Sequence, residues 1–427
     1  PNVNVLRAYP REFLLAHDKQ WQLISFPLAG GMGSAGLSAF DEQYLLTTNA
    51  IEEAFQKLAP EGLLMLSSSM DIPHRNSLKL LNTCVAALQS IGLKPTNHLL
   101  ALRNWNTLGV ILKPTPFSSV EIQKAVQFAK EQGFDMVQPA VGEQINILPD
   151  TTFAVLAKAI IQSKGREKLD GYAFNISPSN DNSPFFSQFV KLGKFKQYLN
   201  EYGRADLPFL ELGYFIVWAS LLVCLTLAIL AIALPLSISL KTRRFILSIW
   251  FYFSMLGLAY MLFEVSLIQR SMLTLGNPVT SSAVVISTLL CFSAVGSYYS
   301  SGMNVKKTLF AVIAIVVGLI SVFAFLGGSL SAMVVNEPFI VRVLVIVFSA
   351  APLAILMGMA FPLAMKYLSN YYPEQIPIAW GVNGFFSVLA APLATIIAVE
   401  AGFIQVMLVS ATIYLLSIVS AIFFVKR

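Results

Sequence analysis

LGYFIVWASLLVCLTLAILAIALPLS, residues Leu212–Ser237, runs for 26 positions without a charged side chain. At 1.5 Å per residue, a helix of that length crosses the ~30 Å hydrocarbon core of a bilayer. Six more apolar stretches follow: Phe245–Ile268, Val279–Ser300, Thr308–Gly327, Ile340–Met365, Ile378–Glu400 and Phe403–Val425. The first ~205 residues hold no run long enough to span. The pattern therefore predicts a soluble domain over 1–205, followed by an all-α polytopic membrane domain of seven helices over 208–427.

Composition agrees with that division. The chain is 56% hydrophobic and only 12% charged, with a mean hydropathy of +0.67. Soluble domains carry about 25% charged residues. The net charge is +6, but much of the Lys and Arg flanks apolar stretches, where it reads as topology and not as a nucleic-acid surface. Cys84, Cys224 and Cys291 are far apart and form no metal spacing or disulfide framework. The chain opens at Pro1 without a signal-peptide pattern, and reads as the tail of something longer.

In the first half, strands are expected at Val3–Ala8, Trp21–Phe26, Leu63–Ser67, His98–Arg103 and Thr107–Leu112. Helices are expected at Arg11–His17, Thr47–Leu58, Ser77–Ile91 and Ser118–Gln132, with Pro60–Gly62 as a turn. Alternating strands and helices imply an α/β sheet with helices on both faces. The last two strands are only a few residues apart, so they form an antiparallel hairpin.

A parallel sheet closed by such a hairpin resembles the end of an S-adenosylmethionine-dependent methyltransferase fold. The segments Asn4-Val5-Leu6-Arg7-Ala8-Tyr9-Pro10-Arg11-Glu12-Phe13-Leu14, Trp21-Gln22-Leu23-Ile24, Pro27-Leu28-Ala29-Gly30-Gly31-Met32-Gly33-Ser34-Ala35-Gly36, Asp41-Glu42-Gln43-Tyr44-Leu45-Leu46-Thr47 and Leu58-Ala59-Pro60-Glu61-Gly62 together resemble the integral-membrane branch of the spermine/spermidine synthase family. Phe174–Pro178, Asn180–Phe186, Phe263–Arg270, Leu275–Pro278 and Trp380–Gly384 resemble later segments of the same family. The resemblance implies a partial Rossmann-like fold. It also implies a cofactor, S-adenosylmethionine or its decarboxylated form, held on a Gly-rich turn. That turn is not in this chain, so the cofactor is expected only if a missing N-terminal portion of the same protein supplies the site.

The departures count against catalysis. Soluble members of the family carry an Asp, the base for the attacking amine, just after the strand matching Trp21–Phe26. Here that position is Pro27, and no carboxylate follows until Asp41. Asp41, Glu42 and Tyr44 are the weak catalytic candidates. The two acids either reach into a cleft or, more plainly, precede the helix at Thr47 as surface acids. Tyr44 is either a substrate-loop aromatic or a packing residue. His17, His74 and His98 form no cluster and read as surface or capping residues. No metal site, P-loop or G-x-S-x-G motif is present.

Lys241, Arg243, Arg244, Lys306, Lys307, Lys366, Lys426 and Arg427 fall on one side of the seven spans, against Arg270 and Arg342 on the other. That asymmetry places the C-terminus in the cytoplasm and the soluble domain outside it, as in a bacterial inner-membrane protein. Inside the spans, Glu264, Arg342 and Asn383 are the polar candidates. Glu264 and Arg270 are six apart and share no helix face, so Glu264 needs a partner on another helix or a proton. Gly257, Gly296, Gly358, Gly381 and Gly384 suit close helix approach. Three readings stand: a non-catalytic subunit or scaffold of a membrane complex, a membrane-bound aminopropyl- or methyltransferase, and a transporter. Expected partners are the lipid bilayer, the missing N-terminal portion and other subunits of a membrane complex, with no nucleic acid.

Overall fold

The computed structural model describes residues 4–6, 9–29, 40–137, 148, 151–162, 166–202, 207–239 and 247–425. The chain divides into two compact units, Pro1–Phe215 and Ile216–Arg427.

The first unit holds helices α1 (Pro10–Ala16), α2 (Thr48–Gln56), α3 (Asn76–Ser90), α4 (Pro95–His98), α5 (Ser119–Gln132), α6 (Thr151–Ile161), α7 (Arg166–Gly171) and α8 (Phe195–Tyr202). Its strands are β1 (Trp21–Ala29), β2 (Leu58–Ser69), β3 (Leu99–Arg103), β4 (Thr107–Leu112) and β5 (Asp135–Met136). They form a mixed sheet in the order β1-β2-β4-β3-β5. β1 and β2 are parallel, while the β2–β4, β3–β4 and β3–β5 pairs are antiparallel.

Local chemistry explains most of these elements. Ser118 and Glu121 close a capping box at the start of α5, and Gly133 ends the helix in the left-handed region at φ 71°. Thr47 caps α2 by accepting from the Ala50 amide. β2 alternates, burying Leu64 and Leu66 while Met65 faces out. One apolar cluster joins Leu64, Leu66, Val110 and Leu112 of the sheet to Leu81, Val85 and Leu88 of α3 and to Phe153 of α6. A smaller cluster on Leu100 and Met136 packs Ala129 of α5.

Two expectations change. The strand at Val3–Ala8 is not formed: Asn4–Leu6 have no regular structure, with Val5 91% and Leu6 64% exposed, and the rest of that stretch lies outside the described residues. A short apolar run becomes a strand only when a neighbour takes up its hydrogen bonds. Pro60–Gly62 is not a turn between elements but an irregularity inside β2. The register jumps from Trp21↔Leu58 to Leu23↔Leu63, so the extra residues bulge. A Cβ on Gly62 would lie 2.5 Å from the Trp21 carbonyl oxygen, which is why glycine stands there.

The second unit begins within α9 (Leu207–Ser239) and continues as α10 (Leu247–Leu275), α11 (Pro278–Ser300), α12 (Val305–Val334), α13 (Phe339–Tyr371), α14 (Ile376–Ala401) and α15 (Phe403–Val425). Six helices among the described residues are long and apolar enough to cross a membrane, not seven. The expected first span falls on α9, where Gly213–Leu227 counts as a shorter apolar helix. α10 is the most buried of the six: 56% of its apolar stretch is buried, against 28–44% in the other five. Leu290, Phe325, Phe348 and Phe423 stay exposed, which suits contact with lipid.

Glycines set the helix spacing. A Cβ on Gly296 of α11 would lie 1.9 Å from the Ile355 carbonyl oxygen, and one on Gly358 of α13 would lie 2.3 Å from that of Ser293. Gly257 of α10 meets Asn383 of α14 in the same way, at 2.3 Å. Gly381 and Gly384 have nothing within 4 Å, so the expectation fails for those two. Lys366 donates to the Ser301 and Met303 carbonyls just past α11.

Candidate functional site

In sheets containing parallel strands, ligands gather beyond the strands' C-terminal ends. After β1 the chain returns through Asp41–Thr47 into α2, which leads into β2. Gln43 fixes this return: its amide donates to the Pro184 carbonyl at 2.8 Å, and its side chain donates to Ser187 Oγ at 2.7 Å. Tyr44–Leu46 then make one 3-10 turn before the Thr47 cap.

The charged centre here is one that sequence reasoning missed. Arg11 of α1 donates to Glu53 Oε2 at 2.7 Å and Oε1 at 2.6 Å, and to Asp181 Oδ1 at 2.8 Å and Oδ2 at 2.7 Å. It also reaches the Tyr44 carbonyl at 3.3 Å. Thr47 Oγ1 donates to Asp181 Oδ1 at 2.7 Å, and Asn49 Oδ1 accepts from the Asp181 amide. Burial disfavours the charge on Arg11, but the hydrogen bonds and charges of Glu53 and Asp181 outweigh it and raise its pKa. Arg11 and Asp181 both lie in segments that carry the family resemblance, and that was the available signal. Glu53 had none.

The expected candidates stand beside this cluster. Asp41 is exposed and Glu42 half-buried. Burial pushes the Glu42 carboxyl up to about 7, with Asp41 adding to the shift. Tyr44 contributes its backbone carbonyl to Arg11.

Each of the four carboxylate oxygens of Glu53 and Asp181 accepts one bond from Arg11, so both acids are committed to this cation. Residues 30–39 lie outside the described residues.

Two other buried cations serve packing. Arg103 pairs with Asp135 at 2.9 Å, both nearly inaccessible, with the Phe153 ring 4.7 Å from the guanidinium carbon. Lys79 donates to the Phe185 and Gln188 carbonyls at 3.0 and 2.8 Å. The histidines correct the surface reading in part. His17, just past α1, donates from Nδ1 to the Phe13 carbonyl at 2.8 Å, as a capping residue does. His74 and His98 are buried, His74 edge-on to Phe153 and His98 bonded to the Lys113 carbonyl at 2.9 Å. Among the described residues no group of three or more His, Cys, Asp or Glu could hold a metal ion.

In the membrane unit, Glu264, Arg342 and Asn383 are not brought together. Each instead meets α10 at a different level. Asn383 Nδ2 donates to the Phe253 carbonyl at 3.1 Å. Glu264 is hydrogen-bonded by the Tyr260 hydroxyl, one turn earlier on the same helix, and Tyr260 is also bonded to Ser293 of α11. The expected partner on another helix is therefore a partner on its own. Arg342 Nη1 donates to the Thr274 carbonyl at 2.9 Å, at the C-terminal end of α10. Tyr260 and Ser293 carried no sequence signal, because helix pairing is not read from spacing along the chain.

No family model, curated protein or solved structure matches the chain.

Proposed function

We propose that this chain is an integral-membrane scaffold or subunit of a membrane complex, its soluble unit a degenerate relative of the spermidine synthase-like fold. One observation carries the reading. Pro27, inside β1, stands at the position where the resemblance would put the family's base, and the carboxylates of Glu53 and Asp181 are both held by Arg11. The strand order supports the ancestry: a hairpin strand lies antiparallel beside a parallel pair. The test is calorimetry on the purified chain with S-adenosylmethionine and its decarboxylated form. No saturable heat is expected, and clear saturation with either one overturns the proposal.

A transferase is the second reading, and Glu42 favours it. A half-buried carboxyl titrating at about 7 suits a general base. This reading needs a cofactor site built by residues outside the chain, and a transfer assay abolished by Glu42→Gln would install it. A transporter is the third reading, resting on the Ser293–Tyr260–Glu264 row inside the bundle.

The proposed site is a bacterial inner membrane, with the C-terminus cytoplasmic. The Lys and Arg asymmetry supports this orientation. α9, 33 residues and about 50 Å long, is the element proposed to carry the chain to the opposite side. An impermeant thiol reagent should then label a cysteine placed at Asn106 in intact cells. Labelling only after lysis reverses the topology.

A further inference from the structure

The membrane unit contains a small cavity of about 30 Å³ between α10, α12 and α13. Its polar lining comes from Arg270, Ser271, Thr274, Ser331 and Ser349, with no carboxylate among the lining residues. Thr274 is 1% exposed, and its hydroxyl has no hydrogen-bond partner. In an apolar bundle such a group needs a partner, because neither lipid nor a neighbouring aliphatic side chain can supply one.

We propose that this cavity is a binding site for one water molecule. The volume is enough to hold a water, which needs about 10–15 Å³ of such space. The lining calls for a guest that both accepts and donates. Ser271, Ser331 and Ser349 already donate to the Leu267, Gly327 and Ile346 carbonyls, so what they have left for a guest is oxygen lone pairs. Thr274 offers a hydroxyl proton. A halide cannot donate to the serine oxygens, and an alkali cation is repelled by the Arg270 guanidinium. Water meets both demands.

Two polar contacts start from lining residues: Arg342 of α13 donates to the Thr274 carbonyl, and Arg270 of α10 donates to the Ala324 carbonyl of α12, both at 2.9 Å.

The test is radiolytic hydroxyl-radical footprinting of the purified chain in detergent, read by mass spectrometry at Leu267. That residue lines the cavity and is 2% exposed, while Val316 of α12 is 0% exposed and lines no part of it. Bound water is activated in place, so Leu267 is modified at least several-fold faster than Val316. Thr274→Val reduces Leu267 labelling to the Val316 level, and Thr274→Ser preserves it. Equal, negligible labelling of both residues in the unmodified chain shows a dry cavity and overturns the proposal without reference to any variant. A melting temperature that rises with chloride but not with gluconate at equal ionic strength, together with a bromide anomalous peak in the cavity, overturns it in favour of an anion.

Discussion

Arg11 and Asp181 lie 170 positions apart and meet through two parallel guanidinium–carboxylate bonds of 2.8 and 2.7 Å. The same guanidinium holds Glu53 through a second such pair. One side chain thus joins α1, α2 and the Asn180–Ser183 turn.

Loss of Arg11 leaves two carboxylates close together without their cation. Arg11→Met should lower the stability of the first unit by about 2–4 kcal/mol, since removing one partner of a mostly buried pair costs more than the pair contributes. Arg11→Lys should recover only part, because an ammonium cannot form both forked pairs. Chemical denaturation of the two variants checks the order.

Glu42 gives a pH dependence of definite sign. Its folded-state pKa of about 7 lies above the ordinary 4.5, so the folded form holds its proton more tightly than the unfolded chain. The penalty for burying the charge is fully present above pH 7 and disappears as pH falls toward 4.5. Glu42→Gln should therefore stabilise the protein at pH 8 by roughly 1–2 kcal/mol, after discounting for its half-exposed position, and leave it unchanged near pH 4.5. Equal effects at both pH values would refute the assignment.

For Glu264, packing is the expected role. Glu264→Gln keeps an acceptor for the Tyr260 hydroxyl and should be nearly silent in thermal stability. Glu264→Leu should cost about 1–2 kcal/mol. If Glu264→Gln instead abolishes a measured transport activity with the melting temperature unchanged, the transporter reading moves to first place.

Gly296→Ala and Gly358→Ala each place a methyl inside contact distance of backbone on the facing helix, at 1.9 and 2.3 Å. Each should loosen the α11–α13 pair by about 2 kcal/mol or more, because backbone cannot rotate aside. Gly381→Ala meets nothing within 4 Å and should be neutral or stabilise α14 by up to about 1 kcal/mol through helix propensity. Melting temperatures in one detergent compare all three variants directly.

Periodicity and length made a large part of this protein legible from the sequence. The Thr107–Leu112 strand, the helix after Ser118 and the six long apolar helices carry their own signals: alternation, a capping box, and runs that no soluble core needs. Such signals are local, because each element's hydrogen bonds and apolar face are set by residues within a few turns. Tertiary structure decided what depends on a neighbour. Val5 and Leu6 read as strand but found no ladder, and Pro60–Gly62 read as a turn but became a bulge against Trp21. Gly296 and Gly381 look alike in sequence, yet one touches a facing backbone and the other touches nothing. The same holds for charge. Whether an acid is free, paired or poised depends on which cation the fold brings to it, and Arg11 reaches Asp181 only because the chain between them folds back.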